Sequence, residues 1–485
     1  MPFSSGFYFS AGSVVPMSNP ADQNMTPIAS VDDLVAILAR GCKPREAWRI
    51  GTEHEKFGFV RPEAATGTRH AWSSPPWEPN GISALIEGVQ REDGNSWLPI
   101  EDNGHVIALK GQGAEKGGAI SLEPSGQFEL SGAPLETLHQ THAEFERHFS
   151  MLRGPARSLG LGFAPLGFHP LETRAERPWM PKSRYAIMRN YMPQVGTLGL
   201  DMMTRTCTVQ VNLDFSSEAD MVRKMQVSLA LQPVATALFA NSPFYEGKPN
   251  GWLSNRARVW LDTDNNRSGI PQICFREDFG FRSWVEWALD VPMYFIVRDG
   301  VIRDVAGRSF RSWLAGERQD GLDDTRPLIG DFEDHLTTVF PDVRLKQFLE
   351  MRGADAGSPE MMLAQSALWT GLLYDDAALE AAYSLVREHP WADYEALRAE
   401  VPRHGLATAF GHGTIRDILP RLLEIVVSGL KNRAALDESG RDESRFLAPL
   451  WALAAGGPTQ AEHWLERYHG AWAGDVRRIF LEAEI

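Results

Sequence analysis

Cysteine is scarce in this chain: Cys42, Cys207 and Cys274 are the only three in 485 residues. Three thiols cannot all pair, and their spacing matches no zinc motif. Neither a disulfide framework nor a cysteine zinc site is expected, and a reducing, cytoplasmic setting is. The chain also lacks any run approaching the ~20 apolar residues of a membrane-spanning helix. Basic residues are the minority, 48 Lys plus Arg against 63 Asp plus Glu, for a formal charge of −15. That balance repels phosphate backbones, which argues against nucleic acid or an anionic membrane as partner. G-x-S-x-G and H-E-x-x-H are missing, which excludes the common serine hydrolases and zinc peptidases. The glycine-rich stretch 110–118 lacks both the closing G-K-[ST] of a P-loop and the G-x-G-x-x-G spacing, and reads as a flexible hairpin connection able to close over a ligand.

What is present is an ordinary globular composition, 43% hydrophobic and 23% charged. Residues 1–30 read as a floppy tail, with Met17 and Met25 as alternative starts. The spacing of Val31, Leu34, Val35 and Leu38 predicts a helix over 31–40. Strands are expected at 48–60, 105–110, 120–123, 127–131, 206–215 and 345–351, and helices around 135–159 and 217–240. Irregular alternation with hairpin-like spacers favours an antiparallel α+β core over a doubly wound parallel sheet. From about 359 the pattern turns helical, so the expected organisation is a catalytic core over 31–358 and a helical region over 359–485.

Candidate chemistry sits on the strands. In the segment 48–59, alternation puts Glu53, Glu55, Phe57 and Phe59 on one face, with the two carboxylates about 7 Å apart. Carboxylates at that distance repel unless a cation lies between them. A second acidic group is Glu123 and Glu129, with Gln127 on the face of Glu129. A third is Glu350 with Arg352, an acid and a base pointing the same way. Thr206, Thr208, Gln210, Asn212 and Asp214 form a polar face opposite Cys207, Val209, Val211, Leu213 and Phe215, as a cavity lined by neutral donors and acceptors requires. Arginines near strand and loop ends, Arg184 beside Tyr185, then Arg205, Arg256 and Arg258, suit bidentate binding of carboxylate or phosphate. Two patterns are read as structural. Asp262, Asp264 and Asn266 lack the closing glutamate of a calcium loop, and among His139, His142 and Glu146 the periodicity puts His142 in the core.

Acidic pairs on several strands, an E-x-R strand and scattered arginines describe a Mg-ATP site without a P-loop. The motifs Thr-Glu-His-Glu-Lys-Phe at 52–57, Glu-Pro-Ser-Gly-Gln-Phe-Glu-Leu-Ser-Gly at 123–132, Thr-Cys-Thr-Val-Gln-Val-Asn-Leu-Asp at 206–214 and Leu-Glu-Met-Arg-Gly-Ala-Asp at 349–355 resemble the plant and proteobacterial type of glutamate-cysteine ligase. The resemblance implies a glutamine-synthetase-like curved antiparallel sheet forming a funnel, with helices outside. It further implies that ATP activates the γ-carboxylate of glutamate as γ-glutamyl phosphate for attack by cysteine, the first step of glutathione biosynthesis. By the same resemblance Glu53, Glu55, Glu129 and Glu350, with Glu123, hold magnesium. Arg352 and Arg258 serve the nucleotide, Arg352 at its terminal phosphate. Arg256 binds glutamate, and Arg184, Tyr185, Arg205, Asn212 and Gln210 complete the substrate pocket. The partners expected are these small molecules, with the chain a monomer or homodimer. The competing readings are a ligase of the same fold with another amine or acid, and a catalytically silent metabolite-binding protein.

Overall fold

The computed structural model describes residues 24–67, 69–92 and 96–485. Most of the expected tail, residues 1–23, lies outside them. The remainder of that tail is anchored: Ile28 N–H donates to Pro327 O at 3.1 Å, and Thr26 O accepts from Ile329 N–H at 2.8 Å.

One large sheet organises the molecule. Its strands, numbered here in chain order, are β1 (Ile50–Val60), β2 (Trp97–Asp102), β3 (His105–Gly111), β4 (Ala119–Leu122), β5 (Phe128–Ser131), β6 (Leu161–Ala164), β7 (Thr208–Leu213), β8 (Val343–Leu345) and β9 (Leu349–Asp355). They run in the order β8-β9-β7-β1-β5-β4-β3-β2, with β6 pairing the far half of β1. Every pair is antiparallel. The α+β expectation holds, and the sequence missed β2 and β6. The strand expected at 345–351 is instead a hairpin, because the chain turns at residues 346–348 between β8 and β9.

Side-chain alternation gives the sheet two unlike faces. Ile50 on β1, Val209, Val211 and Leu213 on β7, and Leu349 and Met351 on β9 are fully buried in the main core. Burying each such side chain is worth about 1.5–3 kcal/mol. Helix Pro359–Leu373 backs this face: Ser366 Oγ lies 2.9 Å from Thr52 Oγ1, and Gln365 Nε2 donates to Val209 O at 3.2 Å. Behind it packs helix Ile415–Arg433, whose apolar stripe of Ile415, Leu419, Leu422, Leu423, Val426 and Leu430 is buried as its periodicity predicts. The two helices touch through glycine, since a Cβ on Gly429 would lie 1.9 Å from Gly371 O.

Helix Leu138–Ser158 departs from expectation at His142, which is exposed and touches Phe446, while Thr141, Glu144, Phe145 and His148 are buried. The buried stripe is centred one residue away from the position that periodicity selected, and His142 falls at its rim.

Candidate active site

The polar face of the sheet collects the acidic motifs by register. Glu55 on β1 pairs with Glu129 on β5, Glu53 pairs with Gln210 on β7, and Asn212 pairs with Glu350 on β9. Five separate stretches of chain thus bring their polar side chains to one surface, counting Ser121 of β4, which stands across from Glu129.

Each acid is held by its neighbours. Asn212 Nδ2 donates to Glu53 Oε1 at 2.7 Å, and Gln210 Nε2 donates to Glu53 Oε2 at 3.4 Å. Thr208 N–H donates to Glu55 Oε2 at 2.9 Å. Ser121 and Ser131 hydroxyls donate to the two oxygens of Glu129 at 2.7 and 2.9 Å. Glu350 receives Arg344 at both oxygens, 2.6 and 3.0 Å, and Arg352 Nη1 at 3.0 Å. Arg352 also donates to Gln210 Oε1, so a neutral amide links Arg352 to Glu53.

Arg352 is aimed by a β-bulge. The β7–β9 register shifts between Met351 and Ala354, which bends the strand and redirects its side chains. The bulged backbone is satisfied by helix Glu218–Leu238: Gly353 N–H donates to Gln232 Oε1 at 2.9 Å, and Gly353 O accepts from Thr236 Oγ1 at 2.9 Å. A Cβ at residue 353 would lie 2.2 Å from Gln232 Oε1, so a side chain there would displace the amide that receives the Gly353 N–H. The bulged carbonyl, Arg352 O, accepts from Arg256 Nη2 at 2.9 Å. Arg256 sits on the short helix Asn255–Val259, which Asp355 fixes by accepting from Ser242 Oγ at 2.6 Å and from Ser254 Oγ at 2.7 Å.

These groups border a cleft of about 780 Å³, lined by Glu55, Glu123, Gln127, Arg184, Tyr185, Met203, Thr208, Gln210, Arg256, Trp260, Phe340 and Arg352 among others. An adjoining hollow of about 410 Å³ shares Arg256, Trp260, Phe340 and Arg352 and adds Arg398. Seven of the sequence-selected residues therefore line one cavity, and Glu53, Glu129, Glu350 and Asn212 lie beside it on the same sheet face. Two do not line it. Arg205 is fully buried between the rings of Phe168 and Tyr245 and ion-paired with Asp201 and Glu246. Arg258 donates to Asn255 Oδ1 at 3.1 Å and lies over Trp252.

The acids divide electrostatically. Burial, then the charges of Glu350 and Glu129, pushes Glu53 up to about 8. Burial, then Glu123 and Glu129, raises Glu55 well above the ordinary carboxylate range, and burial followed by Glu123 raises Glu129. Glu350 behaves oppositely: burial pushes it up, but Arg344, Arg352 and Lys346 outweigh burial and hold it at about 2. A group of buried, mutually repelling carboxylates is a site that gains from a cation. The donors are oxygen, with no histidine or thiol, which suits Mg²⁺, Ca²⁺ or Mn²⁺. Among the described residues, no three His, Cys, Asp or Glu side chains converge into a cage. Mg²⁺ needs none, because it commonly binds through one or two carboxylates and takes its other ligands from water and phosphate.

Sequence reasoning gave no role to two neighbours of this site, Lys182 and Lys346. Lys182 Nζ and Tyr185 OH both donate to Leu122 O, at 2.7 and 2.9 Å, and so fix the strand end that leads to Glu123. Lys346, in the β8–β9 turn, is close enough to Glu53 and Glu350 to be influenced by both, and burial lowers it to about 8. The glycine-rich connection at 110–118 is absent from the cleft lining; its Glu115 pairs with Arg147 at 3.0 Å. Of the two patterns read as structural, the 262–266 loop is tied by an ion pair, whereas His142 is exposed and not in the core. Asp264 pairs with Arg267 at 2.6 Å, and His139 Nε2 is 3.2 Å from Ala435 O.

Comparison with known proteins places this geometry. A model of the glutamate-cysteine ligase family 2 matches residues 49–482. The chloroplastic glutamate–cysteine ligase of Nicotiana tabacum is 48% identical over 452 residues, covering 93% of this chain and 82% of its own length. The chloroplastic glutamate–cysteine ligase A of Oryza sativa subsp. indica is 48% identical over 474 residues, covering 97% and 92%. The crystal structure of a glutamate–cysteine ligase from Francisella tularensis in complex with AMP shares the fold, with a TM-score of 0.54 over 90% of this chain and 88% of that one at 10% identity. The plant names correct one expectation. They place those relatives in chloroplasts, and the cytoplasmic assignment does not survive, because free cysteines report a reducing compartment without saying which. Among the described residues, no helix is long and apolar enough to cross a membrane. By sequence across nearly its whole length, the chain belongs to glutamate-cysteine ligase family 2.

Proposed function

We propose that this chain joins the γ-carboxylate of L-glutamate to the amine of L-cysteine at the expense of ATP, through γ-glutamyl phosphate. The observation that carries the reading is the convergence of Glu55, Glu123, Arg256 and Arg352 on one cleft above the Glu53–Glu129–Glu350 floor, in a chain 48% identical to plant enzymes of that name.

The chemistry requires two anions, a carboxylate and a triphosphate, to meet. Glu53, Glu55, Glu129 and Glu350, with Glu123 alongside, would hold magnesium, which would supply positive charge against the phosphates. The Arg352 guanidinium, fixed by Gln210 and Glu350, stabilises the charge that develops as the γ-phosphoryl group moves. Arg256 pairs with a substrate carboxylate, and Arg184, Tyr185, Gln210 and Asn212 border the remainder of the substrate. Met188, Met202, Met203 and Phe295 give the cleft an apolar wall that excludes water from the acyl phosphate. Most of the protein's contribution is positioning and electrostatics.

Phosphate release from ATP, measured with glutamate and with or without a panel of amines, tests the reading. Release that requires both glutamate and cysteine supports it. Release with a different amine identifies another ligase of this fold, and silence throughout identifies a binding protein.

A further inference from the structure

Arg344 has no sequence signature of function, yet it is tied to the acid nearest to Arg352. It stands directly across the β8–β9 hairpin from Glu350. Its Nε donates to Glu350 Oε2 at 2.6 Å and its Nη2 to Oε1 at 3.0 Å. The third nitrogen, Nη1, donates to Thr337 O at 2.9 Å and Val339 O at 3.2 Å. Both side chains are 0% exposed. Arg344 is absent from the cleft lining, whereas Arg352, the second guanidinium on the same carboxylate, is part of it.

A forked guanidinium held at both ends has one orientation, and it imposes one on the carboxylate that it grips. Thr337 and Val339 supply the fixed end, and Glu350 is the end that is steered. Glu350 in turn holds Arg352, which also donates to the amide oxygen of Gln210. Stability alone does not explain a buried pair of this kind, since apolar residues of similar volume serve as well or better.

We propose that Arg344 is a positioning residue: its two-point grip orients Glu350, and through Glu350 both the acidic floor and the Arg352 side chain that faces the cleft. This rests on the reading above, in which Glu350 serves a divalent cation and Arg352 the transferring phosphoryl group.

The test is a double-mutant cycle between Arg344→Lys and Glu350→Gln, read by Mn²⁺ binding in electron paramagnetic resonance and by kcat and KM. Lysine keeps the charge but cannot grip two oxygens. In the Glu350 background, Arg344→Lys should weaken Mn²⁺ binding and lower kcat, each by about 10–100-fold, the usual scale for losing the partner that orients a metal ligand. The KM for glutamate should stay within about twofold of wild type. In the Glu350→Gln background the same substitution should change neither Mn²⁺ binding nor kcat, because there is no carboxylate left to orient.

Equal losses in both backgrounds, or no loss in either, overturn the proposal. If thermal unfolding shows that Arg344→Lys does not fold, Arg344→Gln enters the same cycle. The Mn²⁺ arm is readable whether or not the chain couples glutamate to cysteine. A coupled cycle without ligation would sink the functional reading alone, and ligation with an additive cycle would sink this inference alone.

Discussion

Glu55 and Glu129 face each other across neighbouring antiparallel strands, a like-charged pair set directly in register. Such a pair destabilises a sheet, and both carboxyls are raised by burial and by acids around them. A divalent cation reverses the sign of that contribution. Glu55→Gln should therefore raise the unfolding midpoint of the metal-free protein while lowering its affinity for Mg²⁺ by about tenfold, equivalent to ~1.4 kcal/mol. Scanning calorimetry with and without Mg²⁺ checks both. A variant less stable in both conditions would show that the carboxylate serves packing and not a cation.

Arg352→Ala removes the cleft-facing guanidinium while leaving Glu350 paired with Arg344. The expected result is a fall in kcat of about 10²–10³, the scale for losing one preorganised charge-stabilising donor. An unchanged kcat in a folded variant removes Arg352 from the mechanism.

Arg256 and Arg205 were selected by the same rule, and the structure separates them. Arg256 lines the cleft, and Arg205 is closed in an ion pair with Asp201 between two aromatic rings. Arg256→Ala should raise the KM for glutamate by about tenfold or more, the equivalent of ~1.4 kcal/mol of lost binding. Arg205→Met should leave that KM unchanged and cost roughly 1–3 kcal/mol of stability, because a buried charged hydrogen bond is lost while Asp201 keeps Arg174. Denaturant unfolding and steady-state kinetics on the two variants decide the matter. The reverse pattern would exchange their roles.

Glu144 lies away from the cleft, buried on helix Leu138–Ser158 with Ala133 N–H donating to Oε1 at 2.7 Å. Burial pushes it up to about 7 from an ordinary 4.5. Between those values the folded protein holds a proton that the unfolded chain has released, so this group's contribution to stability falls as pH rises from 4.5 through 7. Relative to Glu144→Gln, the wild type should lose roughly 3 kcal/mol over that range. Parallel stability curves for the two proteins would contradict the raised carboxyl.

Local alternation made much of this site legible. Glu53 and Glu55 on one strand, and Thr208, Gln210 and Asn212 on another, declared a shared polar face because strand period is short-range information. Register is long-range: nothing within 48–60 says that Glu55 meets Glu129, or that Glu350 meets Asn212. Arg344 was invisible for a related reason. Its partner lies six residues away across a hairpin, in a stretch read as a single strand. Arg205 and His142 failed in the opposite direction, because arginine near a strand end and histidine in a helical register both fit the pattern, and only tertiary packing shows which face closes over them.

The most direct test of the central claim is anomalous diffraction from a crystal containing Mn²⁺ and a non-hydrolysable ATP analogue. The account predicts metal peaks within about 2.0–2.3 Å of carboxylate oxygens on the Glu53–Glu55–Glu129–Glu350 face, with the nucleotide's terminal phosphate beside Arg352. Bound nucleotide with its metal seated elsewhere, and that face contacting none, would contradict it.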